Sequence, residues 1–192
     1  MELVRAVLCS QNPHKARELE RLLPGWTIEP LEVDDYPPED GDTYYANARA
    51  KALYGRDVGD ASRWMIGEDS GIEVEALDGG PGIASARFAA GDPVGRLLRE
   101  LEGVEGDGRR ARFVSDLVAL SPAGAELRGR GTLDGRIAPE ASGDEGFGYD
   151  PIFIPVGEER TVAELGDDWK ERYSHRARAA EALLKALAGS AG

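Results

Sequence analysis

Residues 112–137 read RFVSDLVALSPAGAELRGRGTLDGRI. Two runs rich in aliphatic and β-branched residues, RFVSDLVALSP and AELRGRGTLDGRI, meet at the turn SPAGA, and that pattern predicts a long antiparallel hairpin. Upstream the pattern differs. ELVRAVLC (2–9) suits a buried strand and breaks at SQNPHK (10–15). ARELERLL (16–23) then puts Ala16, Leu19, Leu22 and Leu23 at helical spacing, and WTIEPL (26–31) predicts a second short strand. VDDYPPEDGD (33–42) is a loop by its acids and paired prolines, and TYYANARAKALYGRDVG (43–59) predicts a helix starting near Thr43. Strand–helix alternation therefore gives way to antiparallel pairing at the hairpin, which makes the class α/β with a mixed sheet.

Between these halves, RWMI (63–66) predicts a buried strand closed by the turn GEDSG (67–71), with IEVEAL (72–77) as an alternating strand beyond it. A loop rich in Gly and Pro follows, DGGPGIASARF (78–88), and then a helix with Asp92 as N-cap and Pro93 as its first residue. GDGRRA (106–111) is a turn. After the hairpin, ASGDEGFGYDPIFIP (141–155) is a second Gly-rich loop leading into a strand, and residues 161–189 are mostly helical. No internal repeat or low-complexity linker interrupts the chain, so residues 1–192 are expected to form one domain with two lobes.

Composition narrows the function. The 36 acids outnumber 23 Lys and Arg, a net charge of −13, which argues against a nucleic-acid binder that must neutralise phosphates. A few local cations can still hold a small phosphorylated ligand. One cysteine, Cys9, rules out an internal disulfide and points to a reducing, cytoplasmic setting. No segment has membrane-spanning length. There is no P-loop, HExxH, G-x-S-x-G or zinc-type cysteine pair, and only His14 and His175 are available for histidine chemistry.

What remains is a set of polar junctions, each with an ordinary alternative. SQNPHK can bring backbone N–H groups and Lys15 to an anion, or simply cap a helix. GEDSG can hold charge or be a solvated turn; the loop with Glu39 and Asp40 can bind a cation or none. GFGYDP can be a tight turn around a core aromatic, and KERYSHRARA a solvated basic helix start. Together they outline a nucleotide site: acids for a divalent metal, scattered cations for phosphates and an aromatic in a Gly-rich loop.

SQNPHKARELERLL, EDSGIEVEALDGGPGIASARFAAG, FGYDPIF and SHRARA, in this order, resemble the inosine/xanthosine triphosphate pyrophosphatases, and the resemblance runs from about Leu3 to Ala188. The family's usual first motif, Thr-Gly-Asn-x-x-Lys, stands here as Ser10-Gln11-Asn12-Pro13-His14-Lys15, with Asn12 and Lys15 kept and Gln11 replacing a small residue. The resemblance implies an elongated mixed β-sheet with flanking helices, two lobes around a central cleft, and a homodimer. It also implies hydrolysis of a deaminated purine nucleoside triphosphate to the monophosphate and pyrophosphate, with Mg²⁺ held by Glu39 and Asp69 with Glu68 beside them. Asp69 would be the base that activates water. Ser10, Gln11, Asn12, Pro13, His14, Lys15, Lys51 and Ser70 would bind substrate, the lysines and Arg176 neutralising phosphate or reading the base. Phe147 would stack on the purine between Gly146 and Gly148, with Tyr149, Asp150 and Lys170 nearby and His175 and Arg176 at the base edge. A septum-related sister family acting on modified pyrimidine or methylated nucleotides, and an inactive nucleotide- or metal-binding module, are the alternatives.

Overall fold

The computed structural model describes residues 3–10, 12–36, 38–88 and 91–190. Gln11 lies outside the described residues, so the first-motif substitution has no structural account.

β1 (Val4–Leu8), α1 (Pro13–Leu22), β2 (Trp26–Pro30), α2 (Tyr44–Val58) and β3 (Trp64–Val74) open the chain. α3 (Pro93–Glu100), β4 (Arg110–Leu120), β5 (Glu126–Ile137) and β6 (Phe153–Pro155) follow, and α4 (Val162–Leu165), α5 (Asp167–Tyr173) and α6 (His175–Ser190) close it. The strands form one sheet in the order β2-β1-β3-β4-β5-β6. β1 pairs parallel with β2 and β3, and β5 pairs antiparallel with β6. β4 and β5 are neighbours joined only by residues 121–125, too short for a parallel crossover, so they are the hairpin the sequence predicts. The sheet is mixed and the class α/β.

The chain divides into two compact units. The first comprises residues 1–69, 115–131 and 176–192; the second, residues 70–114 and 132–175. In the first, Leu8, Leu19, Leu23, Ile66, Leu117 and Leu183 are fully buried around β1, β3, β4, α1 and α6. A smaller apolar cluster in the same unit sets Ala48 and Ala52 of α2 against Val7, Met65 and Val118. The second unit has its own core of Ile72, Leu97, Leu101, Phe113, Ile152 and Phe153.

Helix starts follow local chemistry. Asp92 accepts a hydrogen bond from Gly95 N at 2.8 Å ahead of Pro93, as expected, and Thr43 caps α2 through Ala46 N at 3.0 Å. α1 begins at Pro13, three residues before the apolar spacing, because Asn12 Oδ1 accepts from His14 N at 3.0 Å and proline suits the first helical turn.

Two expectations are corrected. The strand expected over residues 72–77 is the end of β3 and stops at Val74, with Glu75–Leu77 in a 3₁₀ turn. GEDSG is not a turn at a strand end but the middle of β3, an eleven-residue strand. Gly67 serves close packing instead: a Cβ there would lie 1.8 Å from the Ala48 carbonyl oxygen, so α2 rests directly on β3.

Candidate active site

Adjacent strand residues point to opposite faces, so Glu68 and Asp69 meet different partners. Glu68 is completely buried in the first unit. Its Oε2 faces Lys15 Nζ at 2.5 Å, and its Oε1 accepts from Ser115 Oγ at 3.0 Å and from Arg176 Nε and Nη2 at 3.2 and 3.0 Å. Arg176 Nη1 donates to Glu18 Oε2 at 2.8 Å. Lys15 and Glu18 lie three apart on α1 and so share a face. Burial alone would push the Glu68 carboxyl up; the Arg176 and Lys15 charges win and hold it well below the usual carboxylate range. Glu68 is therefore a fixed, fully partnered anion.

Asp69 is set differently. Its Oδ2 accepts from Asn47 Nδ2 at 3.1 Å and its Oδ1 from Lys51 Nζ at 3.1 Å. Lys51 also pairs with Glu39 and donates to the Glu68 carbonyl oxygen at 3.1 Å. Asn47 and Lys51 stand one helical turn apart on α2, which is why they reach the two oxygens of one carboxylate. Here burial prevails over Lys51 and Asn47, and the Asp69 carboxyl sits above its ordinary value of 3.8, while Lys51 is raised against its own burial by Asp69 and Glu39. A carboxylate so raised holds a proton more readily, as a base requires.

The donor set fits a hard divalent cation. Asp69 and Glu39 share one ammonium, which leaves negative charge in excess around oxygen donors. Among the described residues no three acidic, histidine or cysteine side chains converge into a cage. A hard divalent cation can be held by one or two carboxylates and complete its shell with water. Glu68, expected beside Glu39 and Asp69, faces Lys15 with Oε2 and Ser115 and Arg176 with Oε1.

The second unit holds the aromatic loop. Gly146 and Gly148 adopt φ of 76° and 64°, which only glycine tolerates well, and a Cβ at Gly146 would meet Asp150 Oδ2 at 2.3 Å. Asp150 Oδ2 accepts from Phe147 N and from Lys170 Nζ, both at 2.8 Å. The buried Lys170 ammonium also lies 4.4 Å from the Phe147 ring centre. The ring is half-buried, with a cation against it. Tyr149 is an anchor: it donates its hydroxyl to the Ser85 carbonyl oxygen at 3.0 Å, and burial pushes its pKa up to about 12. His175 stacks on Phe113, ring centres 4.7 Å apart.

Several residues expected at the substrate thus have protein partners. Asn12 caps α1 and Ser10 Oγ accepts from Asn12 N at 3.2 Å. Pro13 forms the first turn of α1, His14 is exposed with its Nδ1 3.1 Å from Arg17 Nη2, and Ser70 is half-buried on β3. Arg176, expected at the base edge, is one of the most buried side chains in the protein. Sequence reasoning missed Asn47, Glu18 and Ser115. The first two carry a signal, lying at helical spacing from Lys51 and Lys15; Ser115 carries none.

The Ham1 family profile matches residues 6–186. The chain is 41% identical to a dITP/XTP pyrophosphatase of Symbiobacterium thermophilum over 97% of this chain and 96% of the relative. It is 47% identical to one of Opitutus terrae over 73% and 72%. Among solved structures, the Staphylococcus aureus Ham1 protein superposes with a TM-score of 0.82 at 32% identity, covering 97% of this chain and 99% of that one. A Coxiella burnetii HAM1 protein gives a TM-score of 0.82 at 33% identity, covering 97% and 99%.

Proposed function

The chain belongs to the Ham1 family, and from that premise we propose how its residues hydrolyse deaminated purine nucleoside triphosphates (ITP, dITP and XTP) to the monophosphate and pyrophosphate. The observation that carries the reading is Asp69, a buried carboxylate held at both oxygens by Asn47 and Lys51 beside Glu39.

Asp69 takes the proton of the attacking water. Lys51 Nζ keeps its proton and orients the carboxylate. Lys15, partly exposed beside Glu68, brings positive charge to substrate phosphates. Glu39 and Asp69 would hold Mg²⁺, which would supply positive charge to phosphate oxygens and ease deprotonation of water. Phe147 offers its ring to the purine, and Asp150 and Lys170 fix that ring. Residues 1–192 act as one catalytic domain, in the cytoplasm and as a homodimer. Among the described residues no helix is long and apolar enough to cross a membrane.

The test is ITP with Mg²⁺. IMP and pyrophosphate are expected in equal amounts, whereas IDP with orthophosphate would overturn cleavage between the α and β phosphates. A second expectation concerns Phe147. A π-face serves every purine, and stacking is worth roughly 1–3 kcal/mol. Phe147→Ala should therefore lower kcat/KM for ITP and GTP by similar factors; a selective loss for one of them would show that the loop reads base edges.

A further inference from the structure

The first unit contains a second polar cluster with no part in the chemistry above. Asp116 on β4 is completely buried although ionisable. Arg128 on β5 donates from Nε to its Oδ1 at 2.7 Å, and Arg130 Nη1 lies 3.4 Å from its Oδ2. The Arg128 guanidinium in turn sits 4.4 Å from the centre of the Tyr45 ring. Tyr45, in the first turn of α2, donates its hydroxyl to Glu126 Oε1 at 2.5 Å, and Arg49 donates from Nε to Glu126 Oε2 at 2.9 Å. Near the other end of α2, Arg56 donates to the Ser121 carbonyl oxygen at 2.5 Å.

Tyr45, Arg49 and Arg56 fall on one side of α2, and the β4–β5 hairpin grips that side at both ends. Asn47 and Lys51 leave the helix in other directions, toward Asp69. The apolar packing of α2 uses small residues, Ala48, Ala52 and Gly55, with the helix backbone against Gly67. Such packing brings the helix close but carries little directional information, because apolar burial is not directional. Hydrogen bonds to a carboxylate are directional. A small rotation or slide of α2 would take Asn47 and Lys51 off the two Asp69 oxygens they now hold.

We propose that Glu126 is a positioning residue for the reaction: by binding Tyr45 and Arg49 it fixes the rotation and axial position of α2, and so the grip of Asn47 and Lys51 on Asp69. The proposal rests on the reading of Asp69 as the reacting carboxylate. Exposed ion pairs add little to stability, so the clamp acts on geometry rather than on whether the protein folds.

The experiment compares the full-length protein with Glu126→Ala and Glu126→Gln, using ITP turnover, thermal unfolding and amide hydrogen exchange over residues 44–51. Glu126→Ala should lower kcat roughly tenfold, within the range for a misplaced group, with KM changed by no more than about twofold. Its Tm should stay within about 2 °C of the parent. Exchange over residues 44–51 should quicken, and Glu126→Gln, which keeps one acceptor oxygen, should fall between the two. An active parent with an equally active Glu126→Ala variant overturns the proposal. So does a large fall in Tm alongside the loss of kcat, which would mark an ordinary structural role. A parent that releases no pyrophosphate from ITP would sink the functional reading instead; the exchange measurement then decides the clamp alone, and unchanged exchange over residues 44–51 overturns it.

Discussion

Asp69→Asn is expected to lower ITP turnover at least ~100-fold, the lower end for loss of a general base, while the protein stays folded. Asparagine has the same shape and keeps one acceptor oxygen. It cannot accept a proton, and its amide nitrogen must face either Asn47 Nδ2 or Lys51 Nζ, both donors. Lys51 retains Glu39 as a partner, so no buried ammonium is stranded. Far-UV circular dichroism and thermal unfolding should match the parent within a few degrees. Near-normal turnover would remove Asp69 as the base and leave the adjacent acids a structural role.

Arg176→Met is the change expected to cost most stability. Methionine fills much of the volume but leaves Glu18 without that guanidinium and Glu68 with only Lys15 and Ser115. Removing one member of a buried ionic group costs about 3–5 kcal/mol, because uncompensated charge stays in the interior. For a chain of this size that corresponds to a fall in Tm of roughly 6–20 °C. The parent's pH dependence carries the same signature. Glu68 titrates well below its ordinary value of 4.5, so its contribution is complete above that value and drains away as pH falls below it. In Arg176→Met this acid loss should shrink. An unchanged Tm together with a narrowed preference for ITP over ATP would return Arg176 to the base edge, where the resemblance put it.

Features decided within a few residues were legible in the sequence. Asp92 and Pro93 announce α3 because a cap and its helix are neighbours, and the hairpin is legible because its turn is short. GEDSG was not, since the glycine that looks like a turn answers to Ala48 on another element. Lys15, Lys51, Glu68 and Asp69 stand out as chemistry-bearing residues, but which of them meet does not. Arg176 meets Glu18 across 158 residues of sequence, and SHR gives no hint that its arginine turns inward. The Lys170–Asp150–Phe147 contact is hidden for the same reason: periodicity reports which face is buried, not which charges meet there.

The partition of the chain has a bearing on its synthesis. The first unit takes its final stretch from residues 176–192, after the whole of the second unit has been encoded. A nascent chain that has reached Gly131 already carries β1, β2, β3 and β4, yet lacks Ala179, Ala180 and Leu183 from its core and Arg176 from Glu68. Glu68 then has Lys15 as its remaining cationic partner in that network, and an apolar surface awaits α6. Vectorial folding from the N-terminus, common for contiguous domains, cannot finish this unit. Its completion waits until α6 has been made, and a message truncated before codon 176 would yield a polypeptide with an open core and with Glu68 lacking Arg176.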